Sequence, residues 1–182
     1  QMSETAGNLA RPDGAELAWR RVDGAGPTVV WLGGFRSDMA GTKAQALADW
    51  ALAAGRAYLR FDYFGHGESG GDFREGDITR WRGDALAVLD DLIEGDVVLV
   101  GSSMGGWIAC LAAMARPERV KAMVLVAPAP DFTEKLMAPE IPPEGRRALR
   151  DDGVWLRPSE YGDPYPITAN LLEDGARWSI LP

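Results

Sequence analysis

Residues 97–109, VVLVGSSMGGWIA, carry a branched apolar run into a glycine, two serines and a second pair of glycines. Within it GSSMG sets Ser103 at the centre of a G-x-S-x-G pattern, between a segment that reads as a strand and one that reads as a helix. The chemistry this spacing suits is nucleophilic attack by a hydroxyl. A serine on a sharp strand-to-helix turn projects above a sheet, and glycines two residues to either side leave room for backbone that a Cβ would block. The helix that follows points its unpaired amides and the positive end of its dipole at charge developing there. A second stretch, WLGGFRSDM, directly follows another apolar strand-like run and is placed to give a second amide, so the Phe35 and Met104 N–H groups are the expected oxyanion donors. A glycine turn that merely closes a strand is the alternative reading of that stretch.

A serine hydroxyl is a weak nucleophile near neutral pH and needs a base, itself oriented by a carboxylate. The chain holds one histidine, His66 in GHGES, and none after Ser103. It serves either as the base or as a loop histidine satisfied by its neighbours. Asp131, just past VLVAPAP, is either the acid or a carboxylate that caps and anchors the segment after it. Zinc is disfavoured, because one His and one Cys do not make the three or four ligands such a site normally uses. Cys110, in WIACLAAMA, has no partner for an internal disulfide and reads as a buried structural thiol.

The elements that must hold these residues follow from periodicity. AELAWRRV alternates like a strand, TVVWL is too apolar to be half exposed, and the two would form an antiparallel start across a glycine turn. A helix over 42–54 ends at Gly55, the strand RAYLRFDYF leads into the glycine-rich loop GHGESGGDF, and a helix opened by Asp77 runs toward Gly95. DVVLVGSS, the helix MGGWIACLAAMA and the strand VKAMVLV complete the alternation. Strands separated by single helices, with continuous Val and Leu runs, predict an α/β fold: a mostly parallel sheet with helices on both faces. After Asp131 the text changes to Pro, Trp, Tyr and charge, predicting a short helix, a hairpin within 153–168 and a helix from Ala169. The expected division is a core over 1–131 and a lid over 132–182. Gln1 ahead of Met2 reads as an addition and is left out of fold reasoning.

Four motifs, GGFRSDM, RFDYFGHGESGG, GSSMGGWIA and APAPDFTEKL, resemble the α/β-hydrolase superfamily in order and spacing, from about residue 9 onward. Within it they are most similar to the branch of a mitochondrial palmitoyl-protein thioesterase and acyl-glucuronide esterase with its bacterial relatives. The resemblance implies a carboxylic ester or thioester hydrolase with Ser103 as nucleophile, a lid from Phe132 onward, and a conformational role at a turn for His66. Family members often carry His-Gly where this chain has Gly33-Gly34, a departure that leaves the backbone donors in place. They also place acid and base on strands and helices after the lid, so the C-terminal part of the fold is expected to be missing here and the piece alone nearly inert. A strand at 120–127, from Val120 to Ala127, would then be bare and apolar, inviting self-association or a partner chain.

Net charge of −8, without clustered Lys and Arg, argues against a nucleic-acid surface. No apolar run approaches the roughly 20 residues of a spanning helix, so no membrane span is expected and the reading is cytoplasmic. Nothing in the sequence calls for a cofactor. The implied partner is a small-molecule acyl ester or thioester, with Trp155, Tyr161, Tyr165 and Trp178 in the lid segment either lining its site or simply packing. A non-catalytic binding or assembly module on the same frame is the competing reading.

Overall fold

The computed structural model describes residues 3–182; Gln1 lies outside them. Six strands form the main sheet: β1 (Glu4–Ala10), β2 (Glu16–Val22), β3 (Ala25–Leu32), β4 (Arg56–Phe61), β5 (Val97–Ser102) and β6 (Val120–Val126), in the order β1-β2-β4-β3-β5-β6. Pairings β3–β4, β3–β5 and β5–β6 are parallel, whereas β1–β2 and β2–β4 are antiparallel. Three helices cross between strands: α1 (Thr42–Ala54), α2 (Ile78–Leu92) and α3 (Met104–Ala115).

The antiparallel start differs from the sequence reading. It is built by β1, and β2 does not pair with β3, because β4 lies between them. ETAGNLA has no apolar alternation and is largely exposed, so periodicity is silent there. The β2–β3 turn instead passes over the start of β4. Gly24 lies so close to the Gly55 and Arg56 backbone that any Cβ would overlap it, and Ala25 N–H donates to the Gly55 carbonyl at 2.9 Å.

Apolar burial fixes which helix covers which face. Trp81 and Leu89 of α2 and Trp107 and Ile108 of α3 pack with Leu99 and Val30 in the larger core. Small residues Ala44, Ala48 and Ala51 let α1 lie close on Trp31, Tyr58 and Val100 on the other face. β6 forms one sheet edge, and Met123, Val124 and Leu125 are exposed on it. Cys110 is half-buried rather than buried.

Residues 132–182 do not join the sheet. A π-type turn (Thr133–Met137) and a 3₁₀ turn (Ala138–Glu140) lead to α4 (Pro143–Asp152), the hairpin of β7 (Val154–Arg157) and β8 (Tyr165–Thr168), and α5 (Ala169–Arg177). Two buried carboxylates fasten this segment. Asp174 accepts from Thr79 N–H (2.7 Å) and Thr79 Oγ1 (2.6 Å). Asp131 accepts from the Ile180 and Leu181 amides at 2.9 and 2.8 Å and from Ser179 Oγ at 3.1 Å, the anchoring role among the two read for it. Among the described residues no helix is long and apolar enough to cross a membrane.

Candidate active site

Ser103 joins β5 to α3 with φ 57° and ψ −120°, in the left-handed half of backbone space that non-glycine residues rarely occupy. Such strain costs about 1–3 kcal/mol and persists only where the surroundings over-determine it. Here they do. Ser103 N–H donates to Val126 O (3.1 Å), and its carbonyl accepts from both Gly106 N–H and Ala129 N–H at 3.0 Å, tying the corner to β6 and to the chain after it. Gly105 meets the Leu32 carbonyl and Gly101 meets Gly105 so closely that a Cβ at either position would overlap backbone. The glycine spacing therefore reports a real crowding of β3, β5 and α3.

The corner leaves the Ser103 side chain exposed, and it makes no capping bond to α3. Gly34 lies beside it: a Cβ there would sit 3.5 Å from the Ser103 Cβ. Among the described residues neither the Phe35 nor the Met104 amide donates to a protein acceptor, Phe35 being in the loop after β3 and Met104 at the first position of α3. Three residues with the predicted roles thus share one corner. They also share one cavity of about 380 Å³, completed by Ala129, Phe132, Leu136, Met137, Glu140, Arg157 and Tyr165.

Of those lining residues Ala129, Phe132 and Leu136 fall within APAPDFTEKL and Tyr165 is among the candidate aromatic residues, whereas Met137, Glu140 and Arg157 carry no motif and sequence reading missed them. Of the four aromatic residues singled out within 132–182, only Tyr165 lines the cavity. Trp155 packs on Gly145, Tyr161 is exposed, and Trp178 lies under the Arg82 guanidinium with its Nε1–H donating to Thr79 Oγ1 at 2.8 Å. Phe35 instead gathers an aromatic group of its own, with Phe73, Trp81, Phe132 and Tyr165 at ring separations of 5.2–6.3 Å. Its ring seats the loop that follows β3. Arg157 pairs with Glu140 at 3.0 Å on the cavity rim, joining β7 to the 3₁₀ turn.

His66 is not against the serine. It is buried, and both ring nitrogens are engaged elsewhere: Nε2 accepts from Arg36 N–H at 3.0 Å, so the proton lies on Nδ1, which donates to Phe64 O at 3.0 Å. Burial is the main force holding its pKa below the ordinary histidine value; the bond to Phe64 opposes that shift and the Arg36 charge adds to it.

Residues 27–170 match the sequence model of the family described as Serine aminopeptidase, S33. The chain belongs to the α/β-hydrolase superfamily. A palmitoyl-protein thioesterase of Homo sapiens, ABHD10, mitochondrial, is 41% identical over 175 residues, which are 95% of this chain and 57% of that protein. The chain therefore spans somewhat more than half the length of the curated relatives it matches. A crystal structure from Agrobacterium vitis S4, assigned as a hydrolase, superposes with a TM-score of 0.89 at 41% identity over 99% of this chain and 73% of that one. Alpha/beta hydrolase domain-containing protein 10 from mouse follows at TM-score 0.83 and 34% identity, over 97% and 71%. The parallel β3-β5-β6 segment with α3 behind it is the superfamily's frame.

Proposed function

We propose that this α/β-hydrolase cleaves carboxylic esters or thioesters through an acyl-enzyme on Ser103, with the Phe35 and Met104 amides holding the oxyanion. The observation that carries the reading is the combination at one corner: a strained, exposed serine with an uncommitted hydroxyl beside two uncommitted amides. Attack by Oγ on the acyl carbon forms a tetrahedral oxyanion, the leaving alcohol or thiol departs protonated, and water then releases the acid. Each amide donor contributes about 3–4 kcal/mol to such a transition state. Acid and base come from beyond these 182 residues, since the single histidine is committed to Arg36 and Phe64.

The segment 132–182 acts as the lid over the acyl group. Phe35, Phe132, Leu136, Met137 and Tyr165 give the cavity an apolar wall, and a cavity of about 380 Å³ suits a chain of several methylenes more than an acetyl group. The named activity of the human relative, a palmitoyl-protein thioesterase, supports a long acyl chain here.

A fluorophosphonate probe on the full-length protein tests the first claim: mass spectrometry should find the adduct on the peptide holding Ser103. A protein that turns over thioesters while labelled at another serine overturns it. Leu136→Trp tests the second by filling the cavity mouth. It should cut kcat/KM for long-chain thioesters roughly tenfold or more and leave acetyl thioesters within about twofold. Equal losses on both would remove the cavity from the acyl site.

A further inference from the structure

Asp62, Tyr63 and His66, in the stretch that follows β4, each reach across to the loop that carries Phe35. Asp62 accepts from Met39 N–H at 2.8 Å, Tyr63 O–H donates to Gly33 O at 3.0 Å, and His66 Nε2 accepts from Arg36 N–H at 3.0 Å. Gly33 and Met39 bracket the loop, so two of these bonds fix its ends. The third falls at its apex, one residue after the amide proposed to hold the oxyanion. Arg36 itself has φ 61°, a strained position for a side chain other than glycine, and Ser37 N–H closes the turn onto Gly34 O at 3.1 Å. That turn puts a positive φ on its third residue, a place suited to glycine rather than arginine, so a partner from outside the loop helps to hold it.

We infer that His66 is a positioning residue for the reaction: its unprotonated Nε2 holds the Arg36 amide and thereby aims the neighbouring Phe35 N–H at the oxyanion. This rests on the function proposed above. The ring is set for the task from both sides. Its Nδ1–H donates to Phe64 O, which fixes the tautomer that leaves Nε2 free to accept. Tyr63, Phe73 and Trp81 pack edge-on around it at ring separations of 5.1–5.6 Å, so it has no room to turn. On the far side of the loop the Arg36 guanidinium lies 4.1 Å above the Tyr165 ring of β8, so the same residue touches the lid. A displaced oxyanion amide weakens the transition state and leaves substrate binding alone, because the donor meets full negative charge only as the carbonyl becomes tetrahedral.

The test compares His66→Ala and His66→Gln in the full-length enzyme, with Ser103→Ala as control. Gln can set its amide oxygen where Nε2 stood. His66→Ala should lower kcat roughly ten- to hundredfold with KM within about threefold, and His66→Gln should recover most of kcat even if both melt at the same lowered temperature. A kcat that falls equally in the two, or a change confined to KM, overturns the inference. An inert Ser103→Ala beside a fully active His66→Ala sinks this positioning role alone, whereas an active Ser103→Ala sinks the proposed function itself. Should neither His66 variant fold, ring-nitrogen NMR of the unaltered protein decides: a proton on Nδ1 is expected, and a proton on Nε2 overturns the inference.

Discussion

Ser103→Ala is expected to lower kcat of the full-length enzyme by roughly 10⁴- to 10⁶-fold, to the level the oxyanion amides alone sustain. The effect is that large because the proposed acyl-enzyme route needs a nucleophile at this corner and the described residues offer no substitute with the same geometry. Folding should barely notice. The side chain is exposed and makes no capping bond, so its removal costs no packing. Ser103→Gly separates the two roles further. Glycine accepts φ 57° without the strain that serine bears, so this variant should be as inert as the alanine one yet stable by up to about 1 kcal/mol more than the parent in urea unfolding. Residues 3–182 by themselves should hydrolyse thioesters near the background rate, since no imidazole is free to reach Oγ. Turnover above 1% of parent in Ser103→Ala, or brisk hydrolysis by the isolated segment, would end the acyl-enzyme account.

The second large effect concerns stability. Asp84 on α2 is fully buried, and its Oδ2 accepts from Phe64 N–H at 2.8 Å. Its Oδ1 lies 3.2 Å from both Arg80 Nε and Arg11 Nε. One carboxylate thus joins α2, the chain after β1 and the start of the glycine-rich loop that holds His66. Asp84→Ala should destabilise the fold by about 3 kcal/mol in urea unfolding, because it leaves the buried Phe64 N–H and the Arg11 guanidinium without their partner, while Arg80 keeps Asp13. Asp84→Asn keeps an acceptor for Phe64 and should cost less.

Burial pushes the Asp84 pKa up to about 6, against the opposing pull of Phe64 N–H, Arg80 and Arg11. An unfolded aspartate releases its proton near 4, so between about pH 4 and pH 6 the folded state binds more protons than the unfolded one. The contribution of this group to stability therefore falls as pH rises through that window and is level above it. Asp84→Asn should flatten that part of the stability profile; an unchanged slope would assign the titration to another group.

Much of this protein was legible before any coordinates. The sequence set where strands and helices alternate, that β3 and β5 are buried on both faces, and that Ser103 turns a corner between β5 and α3. It did so because each of these depends on local rules: apolar period, the need for glycine where backbones crowd, and the break of character after Asp131. It also showed a single histidine, so that His66 was the one imidazole these residues could offer Ser103.

Tertiary structure alone decided the rest. ETAGNLA became an edge strand because β2 offered it open hydrogen bonds, and β4 separated β2 from β3 through a crossover that no local pattern announces. Phe132, Leu136, Met137 and Tyr165 became cavity walls, and His66 became the partner of an amide 30 residues away. Such roles arise from contacts between segments far apart in the chain, whose free energy depends on mutual placement and so leaves no mark in the spacing of residues along either one.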